Sequence, residues 1–314
     1  MVNVRDIKTA VKIGSLVLKN PVMPASGTFG YGEEFASFVD YNLLGAIVVK
    51  GLSLEPRAGN PPPRIIETTG GMLNAIGMEN IGVHAFIKEK LPFLAQFNCA
   101  VIANVYGETV EEYQKVAEIL SGAKGVHALE INISCPNVKK GGIAFGTDPD
   151  TVHDITGKVK QATNLPVIVK LSPNVTDIAE IAVSAQDAGA DAVSLINTLT
   201  GMSVDIISRT SNIANLTGGL SGPAIKPIAL RMVWEVAKKV SIPIIGIGGI
   251  MSPEDAVEFL IVGASAIQVG TANLINPLAT MDILEGILAY LEVSDIMDIK
   301  DLVGSLKTER PREE

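Results

Sequence analysis

Eight short apolar runs punctuate the chain, each bounded by turn-forming residues: 21–27 (PVMPASG), 46–51 (AIVVKG), 100–106 (AVIANVY), 128–134 (ALEINIS), 166–172 (PVIVKLS), 192–198 (AVSLINT), 242–249 (IPIIGIGG) and 266–271 (AIQVGT). Their apolar side chains are consecutive rather than alternating, the pattern of parallel strands covered on both faces. Helical spacing fills several of the gaps, at 108–120, 148–163, 177–188 and 253–262. Start signals precede two of these: Thr176 stands before Asp177, and Ser252-Pro253-Glu254-Asp255 puts a cap, a first-turn proline and two acids in order. Strand and helix in alternation, eight times over, predict an α/β (β/α)₈ TIM barrel. An open doubly wound sheet fits less well, because no G-x-G-x-x-G turn follows the first strand. The connections 52–99 and 199–241 exceed ordinary loops and read as insertions at the C-terminal rim of one barrel domain spanning 1–314. Residues 307–314 read as a frayed tail.

Composition narrows the function. The 314 residues carry 34 acidic and 25 basic side chains, a net charge of −9, so nucleic-acid phosphates and anionic membranes are repelled. The N-terminal stretch has neither a signal-peptide apolar core nor an Arg-rich transit pattern, and no apolar run is long enough to cross a bilayer. The expectation is a soluble, cytoplasmic chain without nucleic-acid or membrane partners. Two cysteines, Cys99 and Cys135, make no disulfide framework and fall short of an iron–sulfur cluster's usual four thiolates. His84, His127 and His153 lack metal-ligand spacing, and no metal is expected.

In a (β/α)₈ barrel the chemistry sits where strands end, and the unusual side chains gather there. Lys50 ends the second run, Asn104 lies in the third, Asn132 and Cys135 close the fourth, Lys170 lies in the fifth, and Asn197-Thr198 end the sixth. A lysine among β-branched neighbours needs an anion or a route to solvent; two of them beside three asparagines point to a bound anion. The last two strands finish in Gly246-Ile247-Gly248-Gly249 and Gly270-Thr271, where bare backbone lets N–H groups approach a phosphate. Cys135, past a strand end and near Lys139-Lys140, fits either a reactive thiol or a structural one; Cys99 fits inert core.

From NPVMPASG at 20–27 to Gly270-Thr271 these residues resemble the dihydroorotate dehydrogenase family. The motifs that carry the resemblance are Lys50-Gly51, GNPPPR at 59–64, NAIGM at 74–78, NISCPN at 132–137, KLSPN at 170–174, Ile196-Asn197-Thr198, GGLSG at 218–222 and IGGI at 247–250. The resemblance implies one FMN per chain and oxidation of dihydroorotate to orotate in pyrimidine synthesis. Cysteine at 135 and the segment GGMLNAIG at 70–77 are similar to class 1B. In that class a homodimeric catalytic subunit passes electrons through two copies of an FAD and iron–sulfur (2Fe-2S) partner subunit to NAD⁺. Carried over position by position, the resemblance makes Cys135 the base. It gives substrate binding to Lys50, Asn74, Ala75, Ile76, Gly77, Met78, Asn132, Asn197 and Thr198. It gives FMN binding to Ser26, Lys50, Gly51, Asn104, Asn132, Lys170, Ile196, Gly222, Gly248, Gly249, Gly270 and Thr271. The loop 136–145 is expected to act as a lid. Alternatives are a fumarate-using class 1A enzyme, a barrel resembling dihydropyrimidine dehydrogenase, and a non-redox phosphate-binding barrel.

Overall fold

The computed structural model describes residues 7–134 and 145–309. All eight apolar runs are strands: β1 (Val22–Pro24), β2 (Ala46–Val48), β3 (Ala100–Val105), β4 (Ala128–Asn132), β5 (Val167–Lys170), β6 (Ala192–Leu195), β7 (Ile244–Ile247) and β8 (Ala266–Val269). Every neighbouring pair from β2 round to β1 is parallel, in the spatial order 1-8-7-6-5-4-3-2. The seam between β1 and β2 is tied by the Gly45 N–H, which donates to the Val22 carbonyl at 3.0 Å. The barrel predicted from the sequence is therefore present.

Helices Val110–Ser121, Pro149–Ala162, Ile178–Asp187 and Pro253–Ile261 follow β3, β4, β5 and β7. Ser252 makes a full capping box with Asp255, with Pro253 in the first turn. At the Ile178 helix the cap is Asp177 rather than Thr176: its carboxylate accepts from the N–H groups of Ala179 (2.9 Å) and Glu180 (3.3 Å). A carboxylate there also meets the positive end of the helix dipole, which a threonine hydroxyl does less well.

The two long connections hold more than rim structure. Residues 52–99 include consecutive helical turns Val83–Ala85, Phe86–Lys90 and Leu91–Leu94, and residues 199–241 include helix Lys226–Ala237. These pack as barrel helices, burying Val83, Phe86, Leu91 and Leu94 in one case and Ala229, Met232, Val233 and Val236 in the other. Strands from both insertions join in one antiparallel sheet, ordered Leu199–Gly201, Gly218–Ser221, Gly71–Asn74, Ile65–Thr68, and Val204–Asp205 pairs separately with Thr210–Ser211. This sheet stands over the ends of the barrel strands.

The opposite end is stoppered by the hairpin Val11–Ile13/Leu16–Leu18. Val11, Ile13 and Leu18 pack into the lumen against Met23, Ala46, Val48, Ile102, Ala128, Ile168, Ala192, Ile245 and Ala266. With apolar side chains packed into the N-terminal end, the polar part of the lumen lies toward the rim sheet. Ile13 has no exposed surface. Truncating it leaves a cavity the barrel wall cannot collapse into, so Ile13→Ala is expected to cost about 2–5 kcal/mol, read as a lower urea midpoint with an unchanged m-value.

Candidate active site

Period-two alternation decides which strand residues face inward, and near the rim the inward positions turn polar. Above Ala128, Ala192 and Ala266 stand Glu130, Ser194 and Gln268, all without exposure; Asn104 and Lys170 are buried beside them. Glu130 is the hub. Its Oε1 accepts from Asn104 Nδ2 at 2.7 Å, and its Oε2 accepts from Gln268 Nε2 at 2.6 Å and Ser194 Oγ at 3.0 Å. Lys170 Nζ lies 3.7 Å from Oε1. The sequence reading missed Glu130, Ser194 and Gln268; the signal it passed over was a single polar residue at the centre of three otherwise apolar runs.

Directly above, the strand ends bring the expected residues together. Asn132 pairs in register with Lys170 across β4 and β5, and its Oδ1 accepts from Asn197 Nδ2 at 3.2 Å and from the Ser134 N–H at 3.2 Å. Tyr113, on the helix after β3, donates its hydroxyl to the Asn132 carbonyl at 2.7 Å. The Asn197 side chain accepts from the Thr198 N–H, and Asn174 Nδ2 donates to the Thr198 carbonyl at 3.0 Å. The Lys50 N–H donates to the Gly30 carbonyl at 2.9 Å. Gly51 sits against Asn104 and Met78: a Cβ there would lie 3.0 Å from Asn104 Oδ1 and 3.1 Å from Met78 Cε. Backbone bonding of the Ala25 N–H to the Val269 carbonyl at 2.7 Å carries Ser26 to the same rim.

The segment 74–78 comes from the rim sheet and is held by asparagines the sequence reading did not single out. Asn60 Nδ2 donates to the Ala75 carbonyl and its N–H to the Ile76 carbonyl, both at 2.9 Å, and Asn80 Nδ2 donates to the Met78 carbonyl at 2.8 Å. Asn74 Nδ2 donates to the Gly219 carbonyl at 3.3 Å, and Thr198 lies against Gly219 from the other side. Lys50 meets Glu79 at 3.7 Å, and Glu79 is held more closely by Arg64 at 2.6 Å. All three side chains of that ion pair network are partly exposed.

On the β6–β8 side glycines let backbone segments approach closely. Gly222 and Gly249 both have φ in the left-handed region, at 97° and 75°. A Cβ on Gly249 would lie 2.8 Å from the Gly222 carbonyl, and one on Gly222 only 2.7 Å from Gly71 Cα and 3.6 Å from Thr271 Cγ2. Thr271 Oγ1 bonds Ser221 Oγ at 2.9 Å. Gly248 lies over Ile196, and Gly270 beside Ala25. Cys135 and the loop expected to act as a lid lie outside the described residues, apart from Phe145. Among the described residues no group of three His, Cys, Asp or Glu gathers as a metal site. Nor is any helix long and apolar enough to cross a membrane.

A closed parallel barrel with lysines, amides and bare glycine backbone at its C-terminal rim fits a phosphate-cofactor-binding class of (β/α)₈ protein. The chain belongs to the dihydroorotate dehydrogenase family, whose model matches residues 8–291. It is 58% identical over 299 residues to the dihydroorotate dehydrogenase B (NAD(+)) catalytic subunit of Geotalea uraniireducens, covering 95% of this chain and 98% of that one. The protein of the same name from Geobacter metallireducens is 59% identical over 298 residues, again covering 95% and 98%. A crystal structure of DHODH from Eimeria tenella in complex with ferulenol matches with a TM-score of 0.79, over 95% of this chain and 88% of that one. At 22% identity that likeness speaks for the fold.

Members of this family bind FMN, and two features of the rim fit that group. Asn104 Oδ1 and Gln268 Oε1 are buried acceptors without a partner, and buried acceptors of this kind call for a donor from a ligand. At Gly222 and Gly249 backbone segments approach closely with no Cβ between them, and bare backbone of this kind lets N–H groups reach a phosphate.

Cys99 is the inert member of the cysteine pair, as expected. It is buried, and loss of solvation pushes its thiol up from the ordinary 9.0 to about 12, against the opposing pull of the Lys19 ammonium. Iodoacetamide at neutral pH is therefore expected to leave Cys99 unmodified in native protein and to label it once urea unfolds the chain, read by mass spectrometry. The raised value also fixes a sign. The unfolded thiol ionises first, so this contribution to stability is whole below about pH 9 and declines as pH climbs toward 12. Cys99→Ala should lose less stability than wild type across that interval.

Proposed function

We infer that this chain is the FMN-dependent catalytic subunit of a dehydrogenase that oxidises dihydroorotate to orotate, with NAD⁺ as the final acceptor. The observation that carries this reading is near-full-length identity of 58–59% to proteins named dihydroorotate dehydrogenase B (NAD(+)) catalytic subunit. A catalytic subunit by that name works with a separate electron-transfer subunit. FAD and an iron–sulfur cluster belong in that partner, because the two cysteines here fall short of four thiolates. The assembly is a homodimer of this chain with two partner copies, in the cytoplasm.

The reaction removes a proton from C5 of dihydroorotate and a hydride from C6. Cys135 is the base that takes the C5 proton, and FMN, when bound, would supply the hydride acceptor. Lys50 provides charge for the substrate carboxylate, while Asn74, Asn132 and Asn197, with Thr198 and the backbone of 75–78, offer donors and acceptors to the pyrimidine edge. The backbone carbonyls of Ala75, Met78, Asn132 and Thr198 are held by Asn60, Asn80, Tyr113 and Asn174, which supports this reading, since a substrate is oriented only by segments that are themselves held. Lys170, Asn104 and Gly51, with Ser26 and Ile196, would hold the flavin ring. Gly222, Gly248-Gly249 and Gly270-Thr271 would hold its phosphate.

The test is anaerobic addition of dihydroorotate to the FMN-loaded chain. Wild type is expected to lose the flavin's visible absorbance, faster as pH rises into the range where a thiol ionises. Cys135→Ala should bind orotate with similar affinity and bleach at least ~100-fold more slowly. A chain that takes up no FMN, or reduces fumarate efficiently without a partner, refutes the assignment or its NAD⁺ class respectively.

A further inference from the structure

We propose that Glu130 is a positioning residue for the cofactor ring: it fixes which way the Asn104 and Gln268 amides face and offsets the charge of Lys170 beneath the flavin. This rests on the FMN-dependent reading above and concerns a residue that reading does not use. Glu130 lies at the middle of β4 with no exposed surface, yet its partners come from four other strands, Asn104 on β3, Lys170 on β5, Ser194 on β6 and Gln268 on β8. No other side chain in the lumen joins so many strands among the described residues.

Two consequences follow from its chemistry. A carboxylate only accepts, so each amide must turn its NH₂ toward Glu130. Their carbonyl oxygens are then turned away, and both Asn104 Oδ1 and Gln268 Oε1 are left buried and unpaired. Asn104 Oδ1 faces the space beside Gly51, where the substrate segment's Met78 also arrives. Without Glu130 either amide could rotate and present a donor instead. With it, the floor of the site offers acceptors, which suit the imide N–H at the pyrimidine end of a flavin.

The second consequence is electrostatic. Lys170 is a cation buried at the rim, and with Glu130 3.7 Å away the pair presents little net charge to a ring above it. Lys170 favours added electron density on that ring, and Glu130 moderates the effect. Removing Glu130's charge exposes the full cation and makes the flavin easier to reduce.

The experiment uses FMN-loaded wild type, Glu130→Gln, Glu130→Asp, Lys170→Met and the double variant Glu130→Gln/Lys170→Met. Midpoint potential is read by spectroelectrochemical titration, and FMN affinity by quenching of its fluorescence. Glu130→Gln is expected to favour the reduced flavin about tenfold, ~30 mV for a two-electron couple, and to weaken FMN binding by a similar factor. Glu130→Asp keeps the charge and stays near the wild-type potential, which a merely structural role would not predict. Should Glu130→Gln leave Lys170 unpaired and fail to fold, the double variant carries the test, since replacing both members of a buried pair is tolerated where removing one is not. Its potential must lie above that of Lys170→Met. The inference is overturned if Glu130→Gln, or in its place the double variant, has the potential of its reference, or if Asp and Gln variants move together. Wild type that refuses FMN overturns the functional reading itself, a separate outcome visible before any variant is made.

Discussion

A carboxylate shut inside a barrel must be met by donors from the surrounding wall, and this requirement organises the rim. Glu130 cannot be solvated, so Asn104, Ser194, Gln268 and Lys170 converge on it from four strands. Those bonds hold neighbouring strand ends at a common height and divide the lumen into a dry lower half and a polar upper one. The lower half is packed by the hairpin at 11–18 against an apolar cluster. Asn132, Asn197 and Thr198 follow Glu130, Ser194 and the apolar lower layer along the chain, at the strand ends where the backbone leaves the barrel.

The strands were readable because a parallel sheet buried on both faces needs uninterrupted apolar runs, and turn residues mark where each run stops. Helix positions after β3, β4, β5 and β7 agree with the sequence reading to within two residues. Helix Lys226–Ala237 was legible in principle, since Ala229, Met232, Val233 and Val236 form one apolar stripe. The glycine- and asparagine-rich stretch before it disguised the stripe as part of a long loop. The rim sheet was not legible at all. Its strands are three or four residues long, two of them begin with glycine, and their pairing joins segments such as 71–74 and 218–221 that no local pattern relates.

The site divides along a similar line. Strand-end lysines and asparagines stood out because polar residues in apolar runs are costly and therefore informative. Glu130, Ser194 and Gln268 are as polar, but each has an apolar neighbour on either side and none ends its run, so only the pleat, with Ala128, Ala192 and Ala266 two positions earlier, shows that they face the same lumen. Asn60 and Asn80 escaped for another reason. Their work is to hold backbone carbonyls of 75–78, a role that exists only once the chain has folded back on itself.

The two strand-end lysines, alike in sequence, differ in burial and in how their ion partners are held, which fits the different work proposed for them. Lys170 is buried against Glu130, whose other bonds fix it, so this cation keeps its partner whatever binds above. Lys50 is partly exposed, and its partner Glu79 is held mainly by Arg64. A partly exposed ion pair contributes roughly 0–1 kcal/mol, so exchanging Glu79 for an incoming carboxylate costs little, and Arg64 remains to neutralise the carboxylate set free. An exchangeable cation at the mouth suits a substrate that must arrive and leave each turnover. A fixed one in the floor suits a resident ring whose potential must stay the same between turnovers, and the depth of each lysine in the barrel decides which task it can perform.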